Sequence, residues 1–382
     1  MIDLLQCRLE LDEIDKQILE LFEHRMDICE QVASYKVQTG KKVLDTKREK
    51  EKIDKVRELT VNPVYKKPAG ELMKHLMSLS RKLQYNIVGA SETIVDFERF
   101  ESLHFDSDTK VVYYGVPGTH SEHAMINYFG EDVTRFGADT FSEVMEAVKN
   151  GEADYGVLPI ENSSTGGIHD IFDLLLKYDN FIIDEIDLKI EQALLGVEGA
   201  RLEDITKVYS HSQALMQCSK FLESNPKIAQ YTYESTAASA KKVSEDNDIT
   251  QAAIAGVRAA QTYGLKVLRE CCNNNEYNKT RFIVIAAKPM YLAKANLISV
   301  CFEVPHVSGS LYSILSNFIF NDINMTKIES CPVQGKGWEY RFFVDIEGSI
   351  NSASVKCALN AIKTESEYFK ILGSYSDEQL IK

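Results

Sequence analysis

The chain has 382 residues, of which 44% are hydrophobic and 26% are charged, and its formal net charge is −14 at pH 7. This length suits about two to three domains, and the composition is that of a soluble globular protein. The acidic balance argues against binding to nucleic acid or to an anionic membrane, because both require a basic surface. It still allows a small anion to bind in a local cationic pocket.

Localisation and cofactor use are also constrained by the sequence. The N-terminal segment MIDLLQCRLELDEIDK is charged throughout and lacks the apolar core of a signal peptide. No window approaches the ~20 apolar residues of a membrane span. The eight cysteines show no CxxC spacing, and neither a GxGxxG nor a P-loop motif occurs. We therefore expect a cytoplasmic protein with reduced thiols, no bound metal and no cofactor.

Residues 1–90 are predicted to be helical. Two shorter helical patterns, at 45–59 and 68–85, follow a long first one. In the first pattern, apolar side chains recur at helical spacing at Leu11, Ile14, Ile18, Leu21, Phe22, Ile28 and Val32. Because three helices form only a thin core within one chain, we predict that this region dimerises.

Residues 91–108 are predicted to be a linker, and residues 109–288 alternate between strand and helix patterns. Five strand-to-helix junctions occur, in KVVYYGVPGTHSEHAM, YGVLPIENSSTGGIHDIFDLLL, KVYSHSQALMQCSKFL, YTYESTAASAKKV and AAIAGVRAAQTYG. Such alternation predicts a mostly parallel sheet covered by helices. The junctions fall into an earlier and a later group, which favours two lobes.

The junctions are rich in groups that bind anions. GVPGTHS, ENSSTGG, SHSQ and ESTAAS each connect a strand to a helix through small or polar residues. Helix N-termini offer unpaired N–H groups, and ligands of open α/β sheets lie beyond the carboxyl ends of the strands. The alternative is that these serine and threonine residues only cap their helices. Four such junctions in one region favour a cleft for a small anion.

The last strand of this region opens with polar residues. Residues 282–287 are all apolar, which is typical of a parallel strand buried on both faces, yet Thr280 and Arg281 precede them. Alternation along the strand places Thr280, Phe282 and Val284 on one face and Arg281 on the other. Thr280 and Arg281 therefore point to opposite faces, and we expect Arg281 to contact the sheet edge or neighbouring acids, with a contact to substrate as the alternative.

Residues 296–376 follow the order strand, helix, strand, strand, helix, strand. This βαββαβ order predicts a small ferredoxin-like sheet with two helices on one face. The expected fold class is therefore multidomain, with a three-helix all-α domain, a two-lobed α/β domain and an α+β ferredoxin-like domain.

Four motifs of the central region, GVLPIENSSTGG, YSHSQALMQC, GLKVL and NKTRF, resemble prephenate dehydratase. The helical N-terminus resembles the all-helical class of chorismate mutase, the two lobes resemble those of periplasmic binding proteins, and the C-terminus resembles an ACT regulatory domain. Together they resemble the bifunctional chorismate mutase–prephenate dehydratase family of phenylalanine biosynthesis. The resemblance implies rearrangement of chorismate to prephenate, then loss of water and carbon dioxide to give phenylpyruvate, under feedback control by phenylalanine.

The resemblance implies a chorismate site in the helical region. Its binding residues would be Arg8, Arg25, Lys36, Asp45, Arg48, Glu49, Ser80 and Gln84. Arg25, Lys36 and Gln84 would be catalytic, the last two at the ether oxygen of the breaking bond, where preorganised donors stabilise developing charge. Glu49 would bind the substrate hydroxyl. By helical spacing Arg8 points away from the face of Arg25 and Lys36, which fits a family in which one arginine reaches the partner's site.

For prephenate the resemblance implies a second site, in which Thr280 is the catalytic donor to the leaving hydroxyl. A neutral hydroxyl suits this role, because a second anion would repel the departing carboxylate. The prephenate-binding residues would be Glu161, Asn162, Ser163, Ser210, His211, Gln213, Ser235, Thr236, Ala237 and Thr280.

The ACT-like segment implies a phenylalanine site at a GALV-like turn and an ESRP-like strand of the family. These read GSLY and ESCP here, so the effector-binding residues would be Gly309, Ser310, Leu311, Tyr312, Glu329 and Ser330. Cys331 stands where the family has arginine, which removes five donors and a charge and predicts weaker feedback. The alternative is a plain dimerisation module.

Two other interpretations fit the sequence. A two-lobed binding or sensor protein for an amino or keto acid would use the same cleft without catalysis, and an enzyme with one of the two activities alone is also possible. The implied partners are chorismate, prephenate, phenylalanine and further copies of the chain in a homodimer or homotetramer, with neither nucleic acid nor membrane.

Overall fold

The computed structural model describes residues 3–89, 95–333 and 339–376, together with residues 335 and 337. The chain divides into two compact units, Met1–Asp96 with Val300–Ile371 and Phe97–Ser299 with Leu372–Lys382. The N-terminal helices and most of the C-terminal segment therefore belong to one unit, and the central region forms the other.

Three helices form the N-terminal region, as predicted. They are α1 (Leu4–Thr39), α2 (Thr46–Leu59) and α3 (Lys66–Gly89), with a 3-10 turn at Pro63–Tyr65. The Asp3 carboxylate caps α1 by accepting hydrogen bonds from two backbone N–H groups, and Asp45 caps α2 in the same way with one. Gly40 ends α1 in the left-handed conformation, at φ 66°. Local sequence signals thus set the ends of these helices.

Helix α1 buries little of its apolar face within one chain. Along its whole length, which the structure describes, Ala33 alone is buried. Leu9, Ile18 and Leu21 are 58%, 57% and 70% exposed. A long amphipathic helix is stabilised mainly by packing of its apolar stripe, and most of this stripe is exposed within one chain.

The first lobe of the central region begins with alternating strands and helices. They are β1 (Glu98–Phe100), β2 (Lys110–Tyr114), α4 (His120–Phe129), β3 (Thr134–Ala138), α5 (Phe141–Lys149), β4 (Tyr155–Asn162), β5 (Gly166–Gly167), α6 (His169–Lys177) and β6 (Phe181–Lys189). The junction from β3 to α5 was not among the five junctions predicted from the sequence.

The chain then forms the second lobe and returns to the first. The second lobe contains β7 (Gln192–Gly196), a 3-10 turn (Leu202–Asp204), β8 (Lys207–Ser210), α7 (Ser212–Gln217), α8 (Ser219–Glu223), β9 (Ala229–Thr232), α9 (Thr236–Asp246), β10 (Gln251–Gly256), α10 (Val257–Tyr263) and β11 (Lys266–Arg269). The returning strands are β12 (Lys279–Ala286) and β13 (Met290–Leu292). Strand order is β6-β12-β4-β2-β3 in the first lobe and β11-β7-β10-β8-β9 in the second. Each lobe has its own buried apolar cluster.

The two sheets are mixed, whereas the sequence predicted mostly parallel sheets. β2 pairs in parallel with β3 and β4, but β12 is antiparallel to both β4 and β6. The run from Phe282 to Ala286 is buried, as expected. An uninterrupted apolar run indicates burial on both faces, but strand direction depends on how the chain returns from the second lobe.

The predicted linker contains a strand. β1 pairs in parallel with β13, and residues 91–94 of the linker lie outside the described part of the chain. A three-residue strand is too short to show a periodic pattern, so the sequence alone gave no sign of it.

The C-terminal segment has the predicted βαββαβ order. Its elements are β14 (Leu297–Glu303), α11 (Ser310–Phe320), β15 (Met325–Pro332), β16 (Tyr340–Glu347), α12 (Ala353–Glu365) and β17 (Tyr368–Tyr375). The strand order β15-β16-β14-β17 is that of a ferredoxin-like sheet.

Helix α3 packs against α12 within the first unit. Val43, Tyr85 and Ala361 form a buried apolar cluster, against which Val88 also packs. The helical region and the C-terminal segment therefore share a small core. None of the described helices is both long and apolar enough to cross a membrane.

Candidate active sites

A cavity of about 380 Å³ lies between the two lobes of the central region. Its wall is built from the turns that follow strands of both lobes, as expected for a ligand site in α/β sheets. Six of the residues predicted to bind prephenate line it, namely Asn162, His211, Gln213, Ser235, Thr236 and Thr280.

Thr280 and Asn162 face each other across the pairing of β12 with β4. Asn162 Nδ2 donates to Thr280 Oγ1 over 2.9 Å, and Asn162 Oδ1 accepts from the Ser164 N–H over 3.0 Å, which fixes the orientation of the amide. Thr280 is only 8% exposed. Because the amide occupies an acceptor position of the hydroxyl, the Thr280 proton can be donated to a group in the cavity.

Two helices begin at the cavity wall. Thr119 caps α4 by accepting from the Glu122 N–H over 3.4 Å, and Ser235 caps α9 by accepting from the Ala238 N–H over 3.0 Å. Both capping residues line the cavity, and none of its described lining residues is lysine or arginine. An anion in this cavity would therefore be held by helix N-termini and neutral donors.

Four other predicted prephenate residues do not line the cavity, namely Glu161, Ser163, Ser210 and Ala237. Ser210 is fully buried and donates to Ile254 O over 2.6 Å, and Ala237 is fully buried in α9. Each is a chain neighbour of a lining residue, and in strands successive side chains point to opposite faces. The sequence motifs thus located the wall of the cavity. Only the fold shows which residues of each motif face the cavity and which face away from it.

Arg281 lies on the far side of β12 from the cavity, as the alternation predicted. Its Nε is 3.6 Å from Glu185 and 3.9 Å from Asp187, whereas Thr280 and Phe282 line the cavity. Burial alone would lower the pKa of Arg281, but the Glu185 carboxylate raises it above its usual value. Arg281 therefore neutralises acids of β6.

Two lining residues that sequence analysis did not single out form a pair at the cavity wall. Gln192 Nε2 lies 3.4 Å from His120 Nε2. Gln192 is 3% exposed, and its Oε1 has no partner among the described residues. Gly256 makes room for the pair, because a Cβ at this position would lie 2.8 Å from His120 Cε1. A lone glutamine at the start of a strand carries no sequence signal, and the GVPGTHS junction was the only indication of His120.

Replacing His120 with glutamine should make the first lobe less sensitive to acid. Burial and the nearby His123 lower the pKa of His120 from 6.5 to about 4. The unfolded chain then binds more protons than the folded one, so stability is fully present above pH 6.5 and is lost as the pH falls towards 4. We expect the wild-type protein to lose about 2 kcal/mol more than His120→Gln between pH 7.5 and pH 5.

Hydrogen exchange of the α4 amides, corrected for the intrinsic effect of pH, measures this difference. The exposed His104 provides a control, because His104→Gln should behave like the wild-type protein. An equal acid sensitivity in the wild-type protein and His120→Gln would show that His120 does not titrate as described.

In the helical region, the structure brings together Lys36 of α1 and Gln84 of α3. Lys36 Nζ lies 2.9 Å from Gln84 Oε1 and 2.7 Å from Val43 O. Burial lowers the pKa of Lys36 below its ordinary value, and nearby Asp45 opposes this effect. An ammonium group has three donors, so one is left for a ligand.

Arg25 also reaches α3, but Arg8 lies far along α1. The Arg25 guanidinium donates to Ser80 Oγ and, over 2.9 Å, to Leu76 O. Arg8 and Arg48 are exposed. By the rise of a helix, Arg8 lies about 26 Å from Arg25 along the axis, so both cannot contact one small molecule within a single chain.

Glu49 is held by a residue that sequence analysis missed. Arg81 Nη1 lies 2.6 Å and 2.7 Å from the two carboxylate oxygens of Glu49. Arg81 is next to Ser80 on α3, but a single arginine on a helix carries no signal beyond a solvated surface. Only the packing of α2 against α3 shows its role.

A second cavity, of about 510 Å³, lies beside the start of α11 in the C-terminal segment. Gly309, Ser310, Leu311 and Tyr312 line it, together with His306 and other residues. Gly309 begins the helix at φ 87°, a conformation that favours glycine. Glu329 and Ser330 are on β15 and are not among the lining residues, and Cys331 is 4% exposed.

Comparisons with known proteins match two regions of the chain. The family profile of prephenate dehydratase matches residues 111–290, and that of chorismate mutase type II matches residues 7–85. Among solved structures, a prephenate dehydratase from Arthrobacter aurescens in complex with L-Phe is 30% identical, with a TM-score of 0.66 over 71% of this chain and 91% of that chain. A structure described as a novel type of quorum quenching acylase is 28% identical, with a TM-score of 0.66 over 72% of this chain and 100% of that chain.

The fold and the two matched regions define an enzyme that joins a helical chorismate mutase to a two-lobed prephenate dehydratase. A bifunctional chorismate mutase/prephenate dehydratase from Aquifex aeolicus is 32% identical over 98% of both chains. The chain belongs to the bifunctional chorismate mutase/prephenate dehydratase family of phenylalanine biosynthesis.

Proposed function

We propose that the chain converts chorismate to prephenate at the helical site and prephenate to phenylpyruvate in the cavity between the lobes. The observation that carries the proposal is the Thr280 hydroxyl, which accepts a hydrogen bond from Asn162 at the wall of a cavity that also contains two capped helix starts. The proposed domain limits are 1–90 for the mutase, 91–108 for the linker, 109–288 for the dehydratase and 296–376 for the regulatory domain. The matched profiles at residues 7–85 and 111–290 support the mutase and dehydratase ranges.

In the dehydratase site, Thr280 donates its proton towards the leaving hydroxyl of prephenate. Asn162 donates to the same oxygen, so the threonine proton points away from Asn162. As the hydroxyl leaves as water, the electrons of the bond to the ring carboxylate move into the ring, and carbon dioxide departs. The ring becomes aromatic, which drives the reaction, and the proton consumed is replaced from solvent.

The carboxylates of prephenate would be met by helix N-termini in place of cationic side chains. The capped starts of α4 and α9, at Thr119 and Ser235, both line the cavity. Their N–H groups favour an anion without forming a fixed ion pair with the carboxylate that must leave. His211 and Gln213, at the start of α7, complete the polar wall of the second lobe.

In the mutase site, Lys36 and Gln84 stabilise negative charge on the ether oxygen of chorismate as the bond breaks. Their contact of 2.9 Å holds both side chains in place before substrate binds. Arg25, oriented by Ser80, binds a carboxylate, and the remaining binding residues are Arg8, Asp45, Arg48 and Glu49. The reaction is a pericyclic shift, so binding the compact conformer is the main task of the protein.

The mutase site requires a second copy of the chain. The exposed apolar face of α1 needs a partner, and Arg8 is too far from Arg25 to serve the same site within one chain. We propose a homodimer in which Arg8 of each chain reaches the partner's site, and a homotetramer would be a pair of such dimers. Light scattering of the purified protein measures its molar mass. A cytoplasmic location is part of the proposal, supported by the metabolic activities of the relatives.

Phenylalanine is the proposed effector of the C-terminal segment. The cavity lined by Gly309 to Tyr312 supports this role, as does the related prephenate dehydratase that was solved in complex with L-Phe. Glu329 and Ser330 of β15 are proposed to contact phenylalanine that is bound at the interface with a second chain. Cys331 in place of arginine should make the feedback weak.

Following chorismate, prephenate and phenylpyruvate over time by chromatography tests the whole proposal. We expect phenylpyruvate to accumulate after chorismate is added and phenylalanine to slow its formation. Samples must be kept from acid, which converts prephenate spontaneously. Prephenate accumulating alone would contradict the role of Thr280, and persistence of chorismate would contradict the mutase site.

A further inference from the structure

Arg81 of α3 joins two carboxylates from different parts of the first unit. Besides its contacts with Glu49 on α2, its Nε lies 2.8 Å from Glu365 at the end of α12. The side chains of Arg81, Glu49 and Glu365 are 11%, 25% and 8% exposed. They form a largely buried ion network, which is more sensitive to the loss of one member than a surface salt bridge.

The two carboxylates share one guanidinium group. Burial alone would lower the pKa of Arg81, but the carboxylates of Glu365 and Glu49 raise it above its usual value, so Arg81 is charged. Glu365 engages Nε, whereas Glu49 engages Nη1 with both of its oxygens. The position of the planar group is therefore set from two sides, and the orientation of the Glu49 carboxylate depends on it.

The network lies at the proposed chorismate site. Arg81 follows Ser80 directly in α3, and Gln84 lies on the same helix one turn further. Glu49 is the proposed partner of the substrate hydroxyl. A shift of the guanidinium group would therefore move a binding group of the site without touching Lys36 or Gln84.

Other side chains of α3 contact the two ends of α11, and the start of α11 is the proposed effector turn. The rings of His75 and Tyr312 meet edge to face with centroids 6.0 Å apart. Lys82 Nζ lies 5.5 Å from the centroid of the Phe320 ring on α11. Tyr312 lines the cavity proposed for phenylalanine, so α3 is in contact with both α11 and α12.

We propose that Arg81 is a positioning residue of the chorismate site and that Glu365 anchors it, so that the C-terminal segment tunes chorismate binding. This inference rests on the proposed role of Glu49 in the mutase site. It assigns to α12 a task that neither the family motifs nor the sequence pattern of α12 indicates.

Replacing Glu365 with glutamine tests the inference. The side chain keeps its size but loses its charge, so Arg81 moves towards Glu49 and the carboxylate loses its alignment. We expect the KM for chorismate to rise about fivefold, the equivalent of one hydrogen bond, with a smaller change in kcat. Inhibition of the mutase by phenylalanine should weaken, and dehydratase activity measured from prephenate should stay unchanged. Steady-state kinetics of the full-length protein with each substrate measure these effects.

Glu367→Gln is the matched control, because it makes the same change at an exposed position two residues further along. It should leave the KM for chorismate unchanged. Arg81→Lys is a second variant that keeps the charge but loses the forked geometry, and it should raise the KM as well.

Glu49→Gln separates the inference from the proposed function. If Glu49→Gln leaves the KM unchanged, Glu49 does not bind chorismate, and the inference fails with that part of the proposed function. If Glu49→Gln raises the KM but Glu365→Gln does not, the coupling alone is overturned. In the double variant, Glu365→Gln should add little to Glu49→Gln, because both act through one contact.

Discussion

Replacing Thr280 with valine is expected to lower dehydratase turnover by about 10²–10⁴-fold, the usual contribution of a proton donor. Valine has nearly the same shape, so the buried strand should keep its packing, and the loss of one hydrogen bond from Asn162 should cost only about 1 kcal/mol of stability. Mutase activity measured from chorismate should be unchanged. Assays with prephenate as the substrate, followed by the appearance of phenylpyruvate, measure the effect.

Thr134→Val is the matched control for this substitution. Thr134 is an exposed threonine on β3 of the same lobe and does not line the cavity, so its replacement should leave both activities intact. A fully active Thr280→Val protein would refute the assignment of Thr280 as the donor to the leaving hydroxyl.

Replacing Arg25 with alanine is expected to lower mutase turnover by about 10²–10³-fold, the loss seen when one preorganised donor is removed. Arg25 is held by Ser80 and by Leu76 O, so the structure pre-positions its guanidinium group at the site. Dehydratase activity from prephenate should remain. Lys16→Ala is the control, because Lys16 is an exposed cation on the same helix. If both activities vanish in Arg25→Ala, the two sites are not independent.

Mixing Arg8→Ala with Arg25→Ala extends this test to the dimer. Each variant alone should have strongly reduced mutase activity. A mixed dimer contains one site that draws an intact Arg25 from one chain and an intact Arg8 from the other. Recovery of mutase activity after subunit exchange would therefore support the proposed arrangement, and its absence under confirmed exchange would count against it.

Much of the fold follows from periodic patterns in the sequence. The three N-terminal helices and the βαββαβ segment occur where the patterns predict them, because apolar spacing of about 3.6 or 2 residues identifies helices and strands directly. The five predicted junctions of the central region are also present. β1 was not predictable, because a strand of three residues is too short to show a periodic pattern. The antiparallel direction of β12 was not predictable either, because an apolar run is the same in parallel and antiparallel strands.

The sequence likewise predicted some residues of the cavity wall and missed others. The motifs located Thr280, Asn162, His211 and the capped helix starts, because polar residues at the ends of buried strands are unusual enough to be informative. The motifs did not show that Ser210 and Glu161 lie outside the cavity wall while their chain neighbours His211 and Asn162 line it. They gave no sign of Gln192 or His120 as a pair, because these residues are 72 positions apart and meet only across the two lobes.

By itself, the sequence determined the family and the order of its helical, α/β and C-terminal parts, and it supplied the residues of the proposed sites. The periodicity of helices and strands and the residues of a motif are local properties of the chain, so they can be recognised from the sequence alone. Tertiary structure alone decided which polar residues share a cavity and that Arg81 binds both Glu49 and Glu365. Such contacts join residues that are distant in the chain, and they depend on how helices and strands pack, which no local pattern encodes.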